Sequence, residues 1–428
     1  MKRVLVITYY WPPNCGAGVY RWLKMSKYLP ANGWQPVIYT PANPELVADD
    51  PDLLKDVSPE LEVIARPITE PFSLYKRFTG KKQDDRVQTA FLSEEGRGGW
   101  KEDLALWVRS NFFVPDARVW WVRPSIRYLK EYLRQHPVDA IVTTGPPHSM
   151  HLIGRELKRA LGVKWIADFR DPWTGIDFYQ QLKLSSWADG RHRRMERSVL
   201  KEADRVITVS WSCAKDLQVI AGREVEVITN GFDPADVPSP AAAVDQVFSL
   251  VHVGSMSATR DCPGLWKALA ELCANDTSFA ARFKLRFVGP VDRSVLDSVR
   301  AAGLEDRVER IGRVSHHEAM VEMQRARVLL LSINDVPGSA GILTSKLFEY
   351  LSVGRPILAI GPADGDVARV LNSPHLLVDR SQHDWSTVPL RQLFDAAPTT
   401  TAGREYSRVE LAEKMAGVLG GKVSGAAR

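Results

Sequence analysis

The feature that most constrains the fold of this 428-residue chain is a regular alternation of short apolar runs with helical patterns. The apolar runs are rich in Val, Ile and Leu and fall into two series. Near-continuous apolar strands that alternate with helices predict parallel sheets covered by helices on both faces. The first series is Arg3–Thr8, Pro36–Thr40, Glu62–Arg66, Asp139–Thr144, Lys164–Phe169, Arg205–Ser210 and Glu224–Thr229. The second is Phe248–Val253, Lys284–Val288, Arg307–Ile311, Arg327–Ile333, Pro356–Ile360 and Leu376–Asp379. Two such series predict two doubly wound α/β domains.

The Pro- and Ala-rich segment Asp233–Gln246 suits a linker, so we place the domain boundary there. The expected units are residues 1–235, residues 247–400 and a last helix within 401–419, where the helical pattern runs from Arg404 to Leu419. The charged, glycine-containing segment Thr79–Gly99 predicts a loop inside the first domain, and Gly420–Arg428 predicts a disordered tail.

Composition narrows the class of protein. Hydrophobic residues make up 45% and charged residues 25%, as in soluble globular proteins, and no apolar run approaches the ~20 residues that span a bilayer. Pro12 and Pro13 end the first apolar run, which favours a core strand over a signal peptide. The four scattered cysteines lack metal-ligand spacing and favour a reduced, cytoplasmic protein without a metal site. The mild net charge of +5 suits anionic small molecules or an anionic membrane surface, and no nucleic-acid motif is present.

A candidate ligand site follows the apolar run Leu330–Ile333. A loop with Gly341 leads into a helical run that begins at Ser345 and Lys346 and has Glu349 one turn further on. A helix N-terminus favours a phosphate, Lys346 adds a positive charge, and Glu349 can accept hydrogen bonds from two sugar hydroxyls. The pattern predicts a nucleoside diphosphate site. The alternative is an ordinary strand-loop-helix unit with a solvated Lys and Glu.

A second candidate group follows Phe248–Val253 in the same predicted domain. Gly254 allows a close turn beside Ser255, and the guanidinium of Arg260 matches the geometry of a phosphate. Arg260 and Lys346 would together supply two positive charges to one leaving group.

In the first domain, Gly16, Ala17 and Gly18 follow the first strand. The two glycines allow the backbone to approach a ligand and begin a helix. The third glycine of a dinucleotide-binding fingerprint is missing, and the alternative is a turn that merely requires glycine.

Polar side chains also follow the strands Asp139–Thr144 and Lys164–Phe169. At a helix start, the macrodipole favours a neutral imidazole at His148, which could donate to a substrate oxygen; His151 shares its helical face, and the alternative for both is a structural histidine. Asp168 and Asp171 flank Arg170 and could bind sugar hydroxyls or orient an acceptor. The alternative is a structural ion pair between Arg170 and one of the two aspartates.

In their order and placement these residues resemble glycosyltransferase family 4, over nearly the whole chain. The resemblance rests on Gly16-Ala17-Gly18, Pro146-Pro147-His148, Asp168-Phe169-Arg170-Asp171-Pro172-Trp173, Thr229-Asn230-Gly231-Phe232-Asp233, Gly254-Ser255 with Arg260, and Ser345-Lys346-Leu347-Phe348-Glu349-Tyr350-Leu351. It implies the GT-B fold: an α/β protein with two facing Rossmann-like domains and a C-terminal helix that returns to the first.

The resemblance also implies roles for the candidate residues. Residues 1–235 would bind the acceptor, with the loop of Gly16 to Gly18 near phosphate and acceptor, and residues 247–400 would bind the nucleotide sugar. Arg260 and Lys346 would bind the donor diphosphate, and Glu349 the ribose. Members of this family mostly transfer with retention and use no metal, flavin or nicotinamide cofactor.

One departure from the family pattern concerns the donor sugar. Family members often have two glutamates eight positions apart, and Gly341 occupies the first of these positions. We expect backbone N–H groups of Gly341, Ile342 and Leu343 to take over that contact. Gly254, Ser255 and Ser345 are the further residues expected to bind the donor.

The expected function is transfer of a sugar from a UDP-linked donor to a glycan or lipid-linked acceptor in cell-surface polysaccharide biosynthesis. The alternatives are a nucleotide-sugar epimerase and a non-catalytic GT-B partner protein. The presence of Arg260, Lys346 and Glu349 argues against a protein that has lost its catalytic site.

Aromatic and basic residues mix in the first domain, which suits either peripheral contact with the cytoplasmic face of the inner membrane or a core with a solvated basic face. These residues are Trp100, Trp107, Arg109, Phe112, Phe113, Arg118, Trp120, Trp121, Arg123, Arg127, Tyr128 and Lys130.

Overall fold

The computed structural model describes residues 1–44, 50–69, 104, 107–108, 110–176, 179–398 and 403–421. The chain divides into two compact units, one of Met1–Ile228 with Leu411–Arg428 and one of Thr229–Glu410. The predicted loop Thr79–Gly99 and the tail after residue 421 lie outside the described residues.

The first unit contains a seven-stranded parallel sheet. Its strands are β1 (Lys2–Ile7), β2 (Trp34–Pro41), β3 (Glu62–Arg66), β4 (Ala140–Gly145), β5 (Lys164–Phe169), β6 (Arg205–Thr208) and β7 (Glu226–Val227). They pair in the order β3-β2-β1-β4-β5-β6-β7. This is the Rossmann order extended by one strand, with a switch point between β1 and β4.

Helices cover both faces of this sheet. They are α1 (Ala17–Tyr28), α2 (Val119–Gln135), α3 (Ser149–Leu161), α4 (Ser186–Glu202) and α5 (Trp211–Ala221). Leu5 and Ile7 of β1 pack in a core with α2 to α5, whereas Val4 and Val6 pack on the opposite face with α1. Burial on both faces explains why the strands are continuously apolar.

The second unit repeats this architecture with a six-stranded parallel sheet. Its strands are β8 (Phe248–Val253), β9 (Phe283–Val288), β10 (Val308–Ile311), β11 (Val328–Ser332), β12 (Ile357–Ile360) and β13 (Leu376–Val378), in the order β10-β9-β8-β11-β12-β13. Its helices are α6 (Pro263–Asn275), α7 (Thr277–Ala280), α8 (Arg293–Ala301), α9 (His316–Arg325), α10 (Ser345–Ser352), α11 (Asp366–Val370) and α12 (Leu390–Asp395). Each strand predicted from the sequence is present, so the prediction of two Rossmann-like domains is confirmed.

The last helix, α13 (Arg408–Gly420), belongs to the first unit from Leu411 onwards. Leu411, Met415 and Val418 are buried in the same core as α1. The ammonium of Lys164 donates to the carbonyl oxygens of Val418 and Leu419, at 3.1 and 2.8 Å. A cation at the negative end of a helix dipole is favourable, so Lys164 fixes the end of α13.

The segment predicted as a linker, Asp233–Gln246, lies within the second unit and is fixed by side chains of that unit. The amide of Gln324 accepts from the N–H of Ala242 at 3.0 Å and donates to the carbonyl of Pro238 at 2.9 Å. Asp245 pairs with Arg286 at 2.7 Å. The segment is therefore packed along its own unit, and the division between the units lies earlier than predicted, after Ile228.

Candidate functional site

In the second unit the candidate residues lie at the carboxyl ends of β8 and β11, which are neighbours in the sheet although β9 and β10 lie between them in the chain. Such a switch point is where open α/β sheets bind ligands. The loop after β8 contains Gly254 and Arg260, and the loop after β11 leads to α10 with Lys346 and Glu349.

Lys346 lies directly over the backbone of Gly254. Gly254 has φ +102°, and a Cβ added there would overlap Cε and Nζ of Lys346. Burial and, secondarily, the nearby Arg260 lower the pKa of Lys346 to about 8. Within the described part of the chain, the ammonium makes no hydrogen bond or ion pair, so it is free to bind an anion.

Arg260 is held between the two loops. Its Nε donates to Oδ1 of Asn334 at 2.6 Å, and its Nη1 donates to the carbonyl of Ser255 at 2.7 Å. Its Nη2 has no hydrogen-bond partner among the residues that the structure describes. The guanidinium is thus oriented by neutral groups and keeps its charge for a ligand. Asn334 was not among the predicted residues; its position right after β11 is the signal that could have found it.

Glu349 lies one turn after Lys346 on α10 and is half-buried. Its carboxylate makes no hydrogen bond with any described residue. Burial raises the pKa of Glu349, and the nearby His316 and Lys346 act in the opposite direction. A half-buried carboxylate without a donor is unfavourable in the free protein, and both of its oxygens can accept hydrogen bonds from a ligand.

The start of α10 is fixed against the ends of both strands. The hydroxyl of Tyr350 accepts from the N–H of Val253 at 3.0 Å and donates to the carbonyl of Leu330 at 3.4 Å. At the N-cap, the buried hydroxyl of Thr344 has no partner within the described residues. The N–H groups of Ser345 and Lys346 therefore open the helix without a capping acceptor from the side chain before them.

The predicted backbone contacts of Gly341, Ile342 and Leu343 need a correction. The N–H of Gly341 donates to the carbonyl of Gly338, and that of Ile342 to the carbonyl of Ser339, both at 3.1 Å. A short 3₁₀ turn, Ser339–Gly341, uses these two donors. Only Leu343 keeps an N–H group without an acceptor in the described structure, so a sugar cannot be held by all three.

His252 is a polar residue of this site that the sequence analysis missed. Its Nδ1 lies 3.0 Å from the carbonyl oxygen of Leu330 and its Nε2 lies 3.3 Å from that of Ser255. Burial, with Lys346 as the next cause, lowers the pKa of His252 to about 4. The neutral ring can donate to only one of these carbonyls. A histidine inside a mostly apolar strand was the available signal.

In the first unit, a cavity of about 370 Å³ lies beside the segments that follow β1, β4 and β5. It contains two of the predicted residues, His148 and Asp171, and is mostly apolar. The remaining lining residues are Tyr10, Ser110, Phe113, Pro115, Asp116, Ala117, Arg118, Pro146, Pro147, Trp173, Ile176, Tyr179, Leu182 and His192.

His148 is the N-cap of α3, and its ring stacks on Trp173 with centroids 4.9 Å apart and planes 4° apart. Burial lowers the pKa of His148 well below its usual range, and His151 and Arg170 add to this effect. The imidazole is therefore neutral at pH 7, as the sequence predicts, although burial is the larger cause. Its Nδ1 is buried and has no partner among the described residues.

Asp116, also missed from the sequence, supports this position. Its carboxylate accepts from the N–H and the hydroxyl of Ser149, at 2.9 and 2.7 Å. It thereby caps α3 directly after His148.

His151 is a core residue. Its Nδ1 lies 2.9 Å from Oγ1 of Thr143, and its ring stacks on Phe169 at 4.4 Å. Burial lowers the pKa of His151 to about 3. It does not line the cavity.

The structure does not leave Asp168 available for the predicted contact with substrate hydroxyls. Asp168 is fully buried and accepts from Nε and Nη2 of Arg21, both at 3.0 Å, from Nε1 of Trp22 at 2.7 Å and from the hydroxyl of Thr144 at 3.0 Å. Four donors saturate the carboxylate, so Asp168 is structural. Its ion pair is with Arg21 rather than with Arg170.

Arg170 packs against the predicted glycine loop. It donates to the carbonyl of Pro146, and its guanidinium lies 5.9 Å from the ring of Tyr10. A Cβ added to Gly18 would lie 2.7 Å from Nη1 of Arg170. Gly16, with φ +112°, is required by the backbone at the start of α1. Gly16 therefore serves the turn and Gly18 serves close packing within the protein, which accounts for both glycines by structure, and approach of this loop to a ligand stays a prediction.

The mixed aromatic and basic residues of the first unit divide between core and surface. Trp121 and Tyr128 stack with Tyr39 in the core, at 4.9 and 6.1 Å. Trp107, Phe112 and Trp120 are exposed. Trp100 and Arg109 lie outside the described residues.

In the described ranges, no group of three or more His, Cys, Asp or Glu side chains is placed to hold a metal ion. No helix there is long and apolar enough to cross a bilayer.

Comparison with known proteins gives one family match, to the model described as Glycosyltransferase Family 4, over residues 18–236. The sequence comparison with curated proteins found no match.

Several solved structures are similar in fold. A glycosyltransferase from Rickettsia africae ESF-5 is 13% identical with a TM-score of 0.60, covering 99% of each chain. An α,α-trehalose-phosphate synthase (UDP-forming) from Burkholderia xenovorans is 11% identical with a TM-score of 0.57, covering 98% of this chain and 100% of that one. WaaG, a glycosyltransferase involved in lipopolysaccharide biosynthesis, is 16% identical with a TM-score of 0.54, covering 98% and 100%. These likenesses show the fold, which is the GT-B fold expected from the sequence.

Proposed function

Since the chain belongs to glycosyltransferase family 4, we propose that it transfers a sugar from a UDP-linked donor to a glycan or lipid-linked acceptor. Family and fold support a transferase activity. The proposal adds retention of anomeric configuration, a role in cell-surface polysaccharide synthesis, and a position at the cytoplasmic face of the membrane. The likeness to WaaG, whose title names lipopolysaccharide biosynthesis, supports the choice of pathway class.

The observation that carries the proposal is the group of Lys346, Arg260 and Glu349 at one switch point. Among the residues that the structure describes, neither cation forms an ion pair with a carboxylate, and the Glu349 carboxylate has no hydrogen-bond donor. Two available positive charges match a diphosphate, and one available carboxylate matches the two hydroxyls of a ribose.

In the proposed reaction, the bond between the anomeric carbon and the diphosphate breaks while negative charge grows on the leaving oxygen. Arg260, Lys346 and the N–H groups at the start of α10 stabilise that charge. The anomeric carbon becomes oxocarbenium-like. With retention, the leaving phosphate accepts the proton of the acceptor hydroxyl on the same face, so no strong protein base is required. We propose no metal or organic cofactor, with the two cations supplying the electrostatic stabilisation.

The cavity of the first unit is the proposed acceptor site. Its volume of about 370 Å³ lies in the range of small-molecule sites, about 300–1,000 Å³. The neutral ring of His148 and the exposed carboxylate of Asp171 would orient an acceptor hydroxyl by hydrogen bonds.

The test is thermal unfolding of wild type and Glu349→Ala with UDP, GDP, ADP and several UDP-sugars. A ligand at 100 times its Kd adds about 2.7 kcal/mol to the free energy of unfolding, which gives a measurable rise in Tm. We expect UDP and one UDP-sugar to stabilise wild type, and this effect to be lost in Glu349→Ala. Glu271→Ala, which removes an exposed carboxylate on α6, is the matched control and should respond like wild type.

The other outcomes identify the alternatives. Stabilisation by no nucleotide would overturn the donor site and favour a non-catalytic partner protein. Conversion of the donor sugar without any acceptor, followed by chromatography of the nucleotide sugar, would favour an epimerase.

A further inference from the structure

Two helices of the first unit begin with an exposed tryptophan followed by arginines on the same face. On α2, Trp120 is 46% exposed, and the exposed Arg123 and Arg127 follow at positions i+3 and i+7. On α4, Trp187 is 57% exposed. Residues three, four and seven positions apart lie on one helix face, so each tryptophan heads a basic stripe.

The stripe on α4 consists of Trp187, Arg191 and Arg194, at positions i, i+4 and i+7. The guanidinium of Arg191 lies 5.4 Å from the Trp187 ring, and Arg194 donates to the carbonyl of Gly190. Neither arginine pairs with a carboxylate in the described part of the chain, and the same is true of Arg123 and Arg127. By contrast, the neighbouring Arg193 is paired with Asp189 at 2.9 Å. The positive charge on the tryptophan faces is therefore uncompensated.

A third exposed aromatic residue, Phe112, connects the two stripes. It is 68% exposed. The preceding residue, Asn111, accepts from the N–H of Ser185 at 2.6 Å, directly before α4. The following residue, Phe113, packs edge-on against Trp120 with ring centroids 5.2 Å apart. Exposed aromatic groups joined in this way indicate an interaction surface.

The surface adjoins the cavity proposed for the acceptor. Phe113, which packs on Trp120, lines the cavity, and so does His192 of α4, the helix that carries Trp187. A partner that covers the exposed aromatic residues would therefore lie beside the cavity.

We propose that this aromatic-arginine surface, defined as Phe112, Trp120, Arg123, Arg127, Trp187, Arg191 and Arg194, binds an anionic lipid bilayer. Tryptophan is the side chain that prefers the boundary between headgroups and acyl chains, and arginines beside it are attracted by anionic headgroups. The exposed indole rings match the boundary between headgroups and acyl chains, and the uncompensated arginines match the anionic headgroups. Resting on the proposed function, the acceptor is then the lipid-linked one, because the cavity lies next to the bilayer.

The experiment is co-sedimentation of the protein with vesicles of phosphatidylcholine, with and without phosphatidylglycerol. We expect binding to the vesicles that contain phosphatidylglycerol and weaker binding as salt is raised. Arg191→Gln should weaken partitioning about fivefold, the effect of one basic residue near such a surface. Trp187→Ser and Phe112→Ser should also weaken it, since both side chains are mostly exposed and would insert at the interface.

Two matched controls are exposed residues that are not members of this surface. Val219→Ser removes an apolar side chain that is 82% exposed on α5, and Arg313→Gln removes an exposed arginine of the second unit. Both should bind vesicles like wild type.

Two results would overturn the proposal. One is absence of binding to either vesicle. The other is binding that Arg191→Gln weakens but that Trp187→Ser and Phe112→Ser leave unchanged, which would indicate a polyanion such as a nucleic acid or an acidic protein. Vesicle binding needs no nucleotide, so it fails or succeeds independently of the donor site. A cooperative thermal unfolding transition with a Tm close to that of wild type shows that each variant folds.

Discussion

Replacing Gly254 by alanine tests whether Lys346 binds the donor diphosphate. The substitution displaces the ammonium while the lysine itself is retained. In the structure, a Cβ at position 254 would overlap Cε and Nζ of Lys346, while Cδ would lie 3.6 Å away. Ordinary contacts between heavy atoms are about 3.5–4.0 Å, so the ammonium must recede by roughly 1 Å. Because the displaced atoms are the end of a flexible side chain, the protein can fold around the new methyl group.

The expected loss has two separable parts. The backbone at Gly254 has φ +102°, and an alanine forced into such a conformation costs on the order of 1–3 kcal/mol of folding free energy. Withdrawal of the ammonium removes a charge-assisted hydrogen bond worth about 1.5–3 kcal/mol, which raises the Kd for a nucleoside diphosphate about 10- to 150-fold. Gly303→Ala is the matched control, because Gly303 also has a left-handed φ, +78°, and no atom lies within 4 Å of its added Cβ.

The assay is calorimetric titration of wild type, Gly254→Ala and Gly303→Ala with UDP and with UMP. We expect both variants to lose thermal stability, and only Gly254→Ala to lose affinity for UDP. Affinity for UMP should change less, since the β-phosphate is the group that the ammonium is proposed to contact. Equal affinity of Gly254→Ala and Gly303→Ala for UDP would refute the placement of Lys346 on the diphosphate.

Three further predictions concern titration and stability. Raising the pH from about 7 to about 9 should weaken UDP binding, because Lys346, with a pKa of about 8 in the free protein, loses the charge that the diphosphate favours. In calorimetric titrations at each pH, Lys346→Arg should make the UDP affinity less dependent on pH. Glu349→Gln should raise the Tm of the free protein while weakening UDP binding, because burial raises the pKa of this carboxyl, which means that folding disfavours its ionised form; a lower Tm would contradict this. Asp168→Ala should cost about 3–5 kcal/mol in denaturant unfolding, because it removes the carboxylate partner of the buried Arg21, whereas Asp171→Ala at an exposed position should cost far less.

The fold could be predicted from the sequence because strands buried on both faces are marked by continuous apolar runs. Lys164–Phe169 and Phe248–Val253 have the predicted bounds, and the strand order follows the Rossmann plan. The assignment of Asp233–Gln246 as a linker between the units differs from the structure for a physical reason. Its composition does not show that a distant side chain, Gln324, satisfies its backbone polar groups.

The candidate site was only partly predictable, because a local pattern shows which polar residues follow a strand but not which of them already have partners. Asp168 looks available in the sequence, yet its partner Arg21 lies 147 positions earlier. Gly341 and Ile342 look like free backbone donors, yet a 3₁₀ turn uses both of their N–H groups. Asn334 and His252 were missed because their roles depend on contacts with segments that are distant in the chain, Arg260 for Asn334 and Leu330 for His252.

The contrast between Asp168 and Glu349 shows how the structure separates a folding role from a binding role. Four donors surround Asp168, so its burial is compensated within the protein and its loss should be felt without any ligand. Glu349 is half-buried without a hydrogen-bond donor in the described structure, so the fold carries an incompletely compensated carboxylate to which a bound molecule can donate. A substitution that stabilises the free protein and weakens binding is the signature of such a group. Measured together, the Tm and the UDP affinity of Glu349→Gln therefore test the site more directly than loss of activity alone.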